Sequence, residues 1–166
     1  NPGAAAIPIT GESCNEYVFR SETNTAQIAE GCAVWTLENL GSNVWFHIAD
    51  YAYGQSVLRE WRSRMEAADA EFNEVGVTRA ELGAQNYESY ISQIQNSDAD
   101  VLVVGSTGGD FVRFGNQAES AGLGEDIDIV TTTASFQSLR AGLGTAGYDI
   151  YSGVRYNADL ETGWNQ

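Results

Sequence analysis

Lysine is absent from this sequence: all eight basic residues are arginines, set against 23 aspartates and glutamates, for a formal net charge of −15 over 166 residues. That balance argues against nucleic acid or an anionic membrane surface as a partner, because both are gripped through cationic patches. No apolar run approaches the roughly 20 residues needed to cross a bilayer, and no charged-then-apolar leader stands at the start. Cysteine is limited to Cys14 and Cys32, which lack the CxxC spacing of zinc or redox sites. A loop-to-helix bridge between them and two unrelated thiols both stay open, since sequence does not supply the Cα separation a disulfide demands. An acidic surface without lysine is also what a protein working at high salt is expected to carry, where carboxylate repulsion is screened over a short distance.

What is present suffices for one well-buried core, with 43% of residues hydrophobic and 11% aromatic. The chain runs from Asn1 to Gln166 and stops just after Gly163 and Trp164, so a piece of a longer protein is expected. Residues 4–10 (AAAIPIT) predict a short apolar strand, and residues 17–20 (YVFR) a second extended stretch. Asn24 is placed to cap a helix reaching about residue 40, with Ile28, Cys32, Trp35 and Leu37 near one face and Gly41 as its stop. Residues 44–49 (VWFHIA) form an apolar run unbroken by charge, as in a sheet buried on both faces.

Helix and strand then alternate. Residues 54–70 show Val57, Leu58, Trp61 and Met65 at helical spacing, and 71–77 read as a polar-edged strand. A helix over 87–95 carries Tyr87, Ile91 and Ile94 on one stripe, and 101–104 (VLVV) are a strand. Another helix over 111–121 stops at Gly122, residues 127–132 are a strand, a short helix covers 136–139, and the last strand spans 148–156. This order predicts an α/β fold, a doubly wound parallel sheet with helices on both faces. In such sheets ligands bind beyond the carboxyl ends of the strands.

The segments at those ends are Asp50-Tyr51-Ala52-Tyr53-Gly54, Gly105-Ser106-Thr107-Gly108-Gly109-Asp110 and Thr131-Thr132-Thr133-Ala134-Ser135. Hydroxyls, small residues and aromatic rings suit hydrogen bonding to a small polar ligand. They do not make a catalytic constellation. His47, the single histidine, lies inside an apolar strand and reads as core rather than general base. No GxSxG elbow is present, and Asp98 with Asp100 reads as a polar turn rather than a metal site. The Gly105 turn lacks both GxGxxG and a GK[ST] ending, and Asp110 would oppose a phosphate there. No cofactor is implied.

In order along the chain come YVFR, a capped helix with Ala26 and Gln27, D-Y-A-Y-G (50–54), AADAEF, Y-x-S-Y-I-x-x-I (87–94), D-A-D-V-L-V-V-G (98–105) and Q-A-E-S-A-G-L (117–123). This succession resembles the second lobe of type I periplasmic binding proteins, in the branched-chain amino acid (leucine/isoleucine/valine) branch of ABC transporter receptors. The resemblance implies a solute-binding component that performs no catalysis. It would sit outside the cell, anchored to the outer face of the membrane, and pass its ligand to ABC permease membrane subunits. It also implies a division into residues 1–16 (last strand of lobe 1 and first crossover), 17–156 (ligand-binding lobe 2) and 157–166 (start of the return), with most of lobe 1 missing.

Position by position, the resemblance makes Tyr53 the ligand-covering tyrosine and sets Thr107 where another aromatic contact stands in the amino acid receptors. Thr133, or its neighbour Thr132, falls where those receptors hold the acid that pairs with the ligand's ammonium. Asp110 or Glu22 could substitute for that acid. A sensory ectodomain of the same fold is the alternative, followed by a nucleotide-binding Rossmann-like or flavodoxin-like enzyme domain; the acidic composition suggests a haloarchaeal source.

Overall fold

The structure, a computed structural model, describes residues 3–68, 71–132, 137–147 and 150–153. Its centre is a five-stranded parallel sheet of β1 (Asn43–Ala49), β2 (Asn73–Ala80), β3 (Val101–Gly105), β4 (Asp128–Thr131) and β5 (Ile150–Ser152), in the order β2-β1-β3-β4-β5. Helix α1 (Thr25–Asn39) precedes β1, and helices α2 (Ala52–Ala68), α3 (Glu88–Gln95), α4 (Gly108–Ser120) and α5 (Gln137–Leu143) fill the connections. The expected doubly wound α/β sheet is therefore the fold.

Both faces of the sheet are covered, which is why β3 is apolar throughout and β1 is apolar but for Asn43 and His47. Val44, Phe46, Ile48, Val101 and Val103 pack with Ala29 and Ala33 of α1 and with Val57, Leu58, Trp61 and Met65 of α2. On the other face Leu102 and Val104 pack with Ile91 and Ile94 of α3 and with Phe111, Phe114 and Ala118 of α4. His47 lies on this second face, 1% exposed and stacked on Phe114 at 4.3 Å between ring centroids. Its Nδ1 meets the Thr78 hydroxyl at 2.9 Å, from the residue directly beside it in the β1–β2 ladder. Burial among rings lowers its pKa from 6.5 to about 3, so it is the core residue the sequence suggested. Where the β1–β2 register slips after Val44, Trp45 lies over Gly76; a Cβ there would stand 2.3 Å from the indole.

Four expectations need correction, and the choice left open for the two cysteines is decided. Residues 4–10 hold no strand: Ile7–Thr10 is a 3-10 turn, with Pro8 in its first positions and the Gly11 N–H donating to Pro8 O at 3.2 Å. The YVFR stretch joins no ladder and leaves Tyr17 and Phe19 exposed. Helix α1 has the predicted Asn24 cap, closed as a capping box with Gln27, but buries Thr25, Ala29, Ala33 and Thr36 while Trp35 is exposed. Small residues let α1 approach closely, and the larger side chains border that seam. The bridge between Cys14 and Cys32 is not formed: Cys14 is exposed just past an exposed turn, whereas Cys32 faces Gly153 beside β5. Strand β2 begins two residues later than expected, and β5 is described only over Ile150–Ser152.

Candidate functional site

The strand order reverses direction between β1 and β3: the chain steps outward from β1 to β2, then returns to the other side of β1 for β3. At such a switch point the connections diverge to opposite faces and leave a crevice at the carboxyl edge. Here that crevice is a cavity of about 300 Å³, bordered by Tyr51, Tyr53, Thr107, Glu22, Ile28 and the stretch from Gly3 to Ala6. A larger groove of about 440 Å³ between α3 and α4 lies away from the strand ends.

The first wall follows from how β1 turns into α2. Asp50 N–H donates to Ala80 O at 2.8 Å, holding the end of β1 to that of β2, and Asp50 Oδ1 accepts from Gln55 Nε2 at 2.8 Å. Gly54 then packs its backbone against Ala49, so closely that a Cβ would lie 2.0 Å from the Ala49 carbonyl oxygen. This tight corner sets Tyr51 and Tyr53 side by side at the edge, ring centroids 6.1 Å apart. Burial, and then the nearby Asp110 carboxylate, raise the Tyr51 pKa, so its phenol is neutral and able to donate.

The second wall is the start of α4. Thr107 is its N-cap residue by backbone geometry, but its side chain makes no capping bond to the helix, although threonine there ordinarily does. It borders the cavity instead. Thr132, just past β4, is buried, and its hydroxyl is hydrogen-bonded to the Tyr53 hydroxyl.

The third wall comes from the N-terminal segment. Arg20 donates to the carbonyls of Ala5, Ala6 and Ile7, closest to Ala6 at 2.6 Å. Ser56 of α2 accepts from Ile7 N–H at 3.1 Å and pairs with the Thr25 hydroxyl at 2.7 Å. Glu22 points its carboxylate at Thr23, accepting from the backbone N–H at 2.7 Å, and lines the cavity as well.

Of the residues the sequence singled out, the structure thus gathers Tyr53, Thr107 and Glu22 at one cavity, with Thr132 joined to it through Tyr53. Asp110 is elsewhere in its bonding: its buried carboxylate accepts from Gly83 N–H at 2.9 Å and pairs with Arg113, which also donates to Ala84 O. Thr133 lies outside the described residues. Sequence reasoning passed over Tyr51 and the alanine wall. Tyr51 was visible as the first tyrosine of the same turn; the alanines carry no chemical signal, and a short apolar run reads equally as strand.

A sequence profile described as periplasmic binding protein matches residues 3–166. The chain belongs to the periplasmic binding protein family. No curated protein matches it. An ABC transporter substrate-binding protein from Sphaerobacter thermophilus is 28% identical with a TM-score of 0.76, covering 96% of this chain and 43% of its own. A solute-binding protein of an R. palustris ABC transporter, in complex with benzoate, is 21% identical with a TM-score of 0.80, over 98% and 44%. A leucine-, isoleucine-, valine-, threonine- and alanine-binding protein from Brucella ovis, in a closed conformation, is 22% identical with a TM-score of 0.76, over 87% and 37%. The last two speak for the fold alone. This periplasmic binding protein chain spans less than half the length of each of these structures.

Proposed function

We propose that this chain is the ligand-covering lobe of an extracellular solute-binding component of an ABC importer. It holds a small polar ligand (an amino acid, an amide or a related compound) between itself and a second lobe, hands it to permease subunits, and performs no chemistry. Membrane anchoring on the outer face and a salt-rich habitat belong to the same reading. The observation that carries it is the cavity at the switch point, where two aromatic rings, the Thr107 hydroxyl and the Glu22 carboxylate meet. A ligand pressed against this edge by a closing lobe would find ring faces for its apolar part and oxygen atoms for its polar part.

Within that class, ligands without an ammonium group are favoured. A buried ammonium needs a carboxylate to offset several kcal/mol of desolvation; Thr132 brings a hydroxyl that is bonded to Tyr53, and Asp110 is committed to Gly83 and Arg113. Glu22 remains as the carboxylate on the cavity wall.

Calorimetric titration of the full-length protein with leucine, valine, short aliphatic amides and benzoate tests the reading. Tyr53→Ala is expected to weaken binding of the solute that gives heat by about tenfold or more, on the order of 1–3 kcal/mol. The unliganded melting midpoint should fall by a few degrees, because the variant leaves the buried Thr132 hydroxyl unpaired. A variant that binds like wild type would put the site elsewhere.

A further inference from the structure

Tyr53 and Thr132 are 79 residues apart and emerge from strands that are not neighbours. Tyr53 stands in the first turn of α2 after β1, Thr132 follows β4, and β3 lies between those two strands in the sheet. The hydroxyl–hydroxyl bond therefore spans the carboxyl end of β3, where the chain narrows to Gly105 and the buried Ser106. Gly105 itself has no room for a Cβ, which would come within 2.9 Å of Ile48 and 3.1 Å of Val57.

Two physical consequences follow. A tyrosine fixed at its Cα by the tight β1–α2 corner and at its oxygen by Thr132 keeps only rotation about its own long axis, so its ring is ordered before any ligand arrives. Side-chain ordering that would otherwise oppose binding is thereby already accomplished. Thr132 is 4% exposed, so water competes poorly for this bond, and breaking it leaves a buried hydroxyl unsatisfied. A phenol oxygen held in this way also offers the cavity its ring face in preference to its hydroxyl.

We propose that Thr132 is a positioning residue. It does not grip the ligand; it pins the Tyr53 ring across the end of β3, so that Tyr53 presents a preset aromatic face to the cavity. The proposal rests on the reading of this cavity as a solute site. Its test does not require the solute.

Acetylation of tyrosine hydroxyls by N-acetylimidazole, followed by peptide mass spectrometry on the full-length protein, reads the bond directly. Tyr51 is the internal reference, because it shares the turn and the partial burial of Tyr53 but has no bond to Thr132. In the wild type Tyr53 should react more slowly than Tyr51. Thr132→Val should speed Tyr53 by about fivefold, the size of one net buried hydrogen bond, while Tyr51 stays as it was. Thr132→Ser, which restores the hydroxyl, should return Tyr53 to the wild-type rate. The proposal is overturned by an unchanged Tyr53 rate in Thr132→Val, by Tyr51 and Tyr53 quickening together, or by Thr132→Ser behaving like the valine variant. Should Thr132→Val fail to fold, Thr132→Ala is read in its place, and an unchanged Tyr53 rate there overturns the proposal. Failure of every solute in the calorimetric panel would instead count against the proposed function and leave the acetylation result standing.

Discussion

Glycine to alanine within a helix ordinarily stabilises a protein, by up to about 1 kcal/mol, because alanine restricts the unfolded chain and propagates the helix better. At Gly54 the sign should reverse. A Cβ built on Gly54 lies 2.0 Å from the Ala49 oxygen, 2.9 Å from its nitrogen and 3.0 Å from its carbonyl carbon. All three are backbone atoms of the last residue of β1, so no rotamer change relieves the contact; the corner itself must open by more than about 1 Å to reach ordinary separation. Overpacking of this kind costs typically 1–3 kcal/mol, sometimes more, and here it acts on a strand buried on both faces.

With the propensity gain subtracted, Gly54→Ala should lose about 2 kcal/mol, or roughly 4–8 °C in melting midpoint for a chain of this size. Gly31 in α1 is the control, for it is exposed and a Cβ there meets nothing within 4 Å. Gly31→Ala should gain up to about 1 kcal/mol. Urea titrations of the two variants beside the wild type measure both, with unchanged slopes required for the comparison. A Gly54→Ala protein at least as stable as wild type would refute the reasoning, since the corner would then be looser than its geometry indicates.

Further expectations follow from the other buried groups. His47 titrates at 6.5 when unfolded but at about 3 in the fold, because burial disfavours its charged form. The unfolded chain therefore binds the extra proton between those values, and the stabilisation is complete above 6.5 and lost as pH falls towards 3. Going from pH 7 to about pH 4.5 should cost the wild type about 3 kcal/mol more than His47→Phe; equal losses would contradict the buried neutral ring. Cys14 should label with a maleimide at once and Cys32 slowly, since burial raises the Cys32 pKa against the lowering effect of the Gly153 backbone. Two unreactive thiols after denaturation without reductant would show a disulfide instead. With a net charge of −15, the melting midpoint should rise between about 0.1 M and about 2 M KCl, as the screening length falls from about 10 Å to below about 3 Å; an unchanged midpoint would remove the salt-adapted reading.

The strands of the sheet centre were legible because burial on both faces leaves their residues no choice: VLVV has no polar side chain, and the one polar residue of VWFHIA is held through its Nδ1 by Thr78 from the adjacent strand. Helix α1 was legible in its start and not in its orientation. Asn24 and Gln27 reach only across one turn, so local sequence contains the capping box. Which stripe faces α2 depends on how near the helices come, and a close approach selects Ala29 and Ala33 over the larger Ile28 and Trp35. Residues 4–10 failed for a related reason. Apolar composition reports that a segment is covered, but the form it takes is set here by Arg20, Ser56 and Thr25, partners that lie beyond any local window.

The site divides along the same line. Tyr53 and Thr107 could be placed at the cavity edge because a parallel sheet makes strand ends informative: the residues after each strand gather at one edge of the sheet. Asp110 shows the limit of that rule. It also follows a strand, yet it stands three residues into the α4 turn, where its carboxylate is drawn to Gly83 N–H and Arg113. A charge so buried is stable only when its lone pairs are met, and the loop between β2 and α3 meets them. Thr132, which also follows a strand, has its hydroxyl bonded to Tyr53. Distance in sequence explains both. Position after a strand says which edge of the sheet a residue occupies, and the strand order then decides whether its neighbour there is a ligand, a loop or another side chain. For Thr132, two strands away from β1, that neighbour is the ring that closes the cavity.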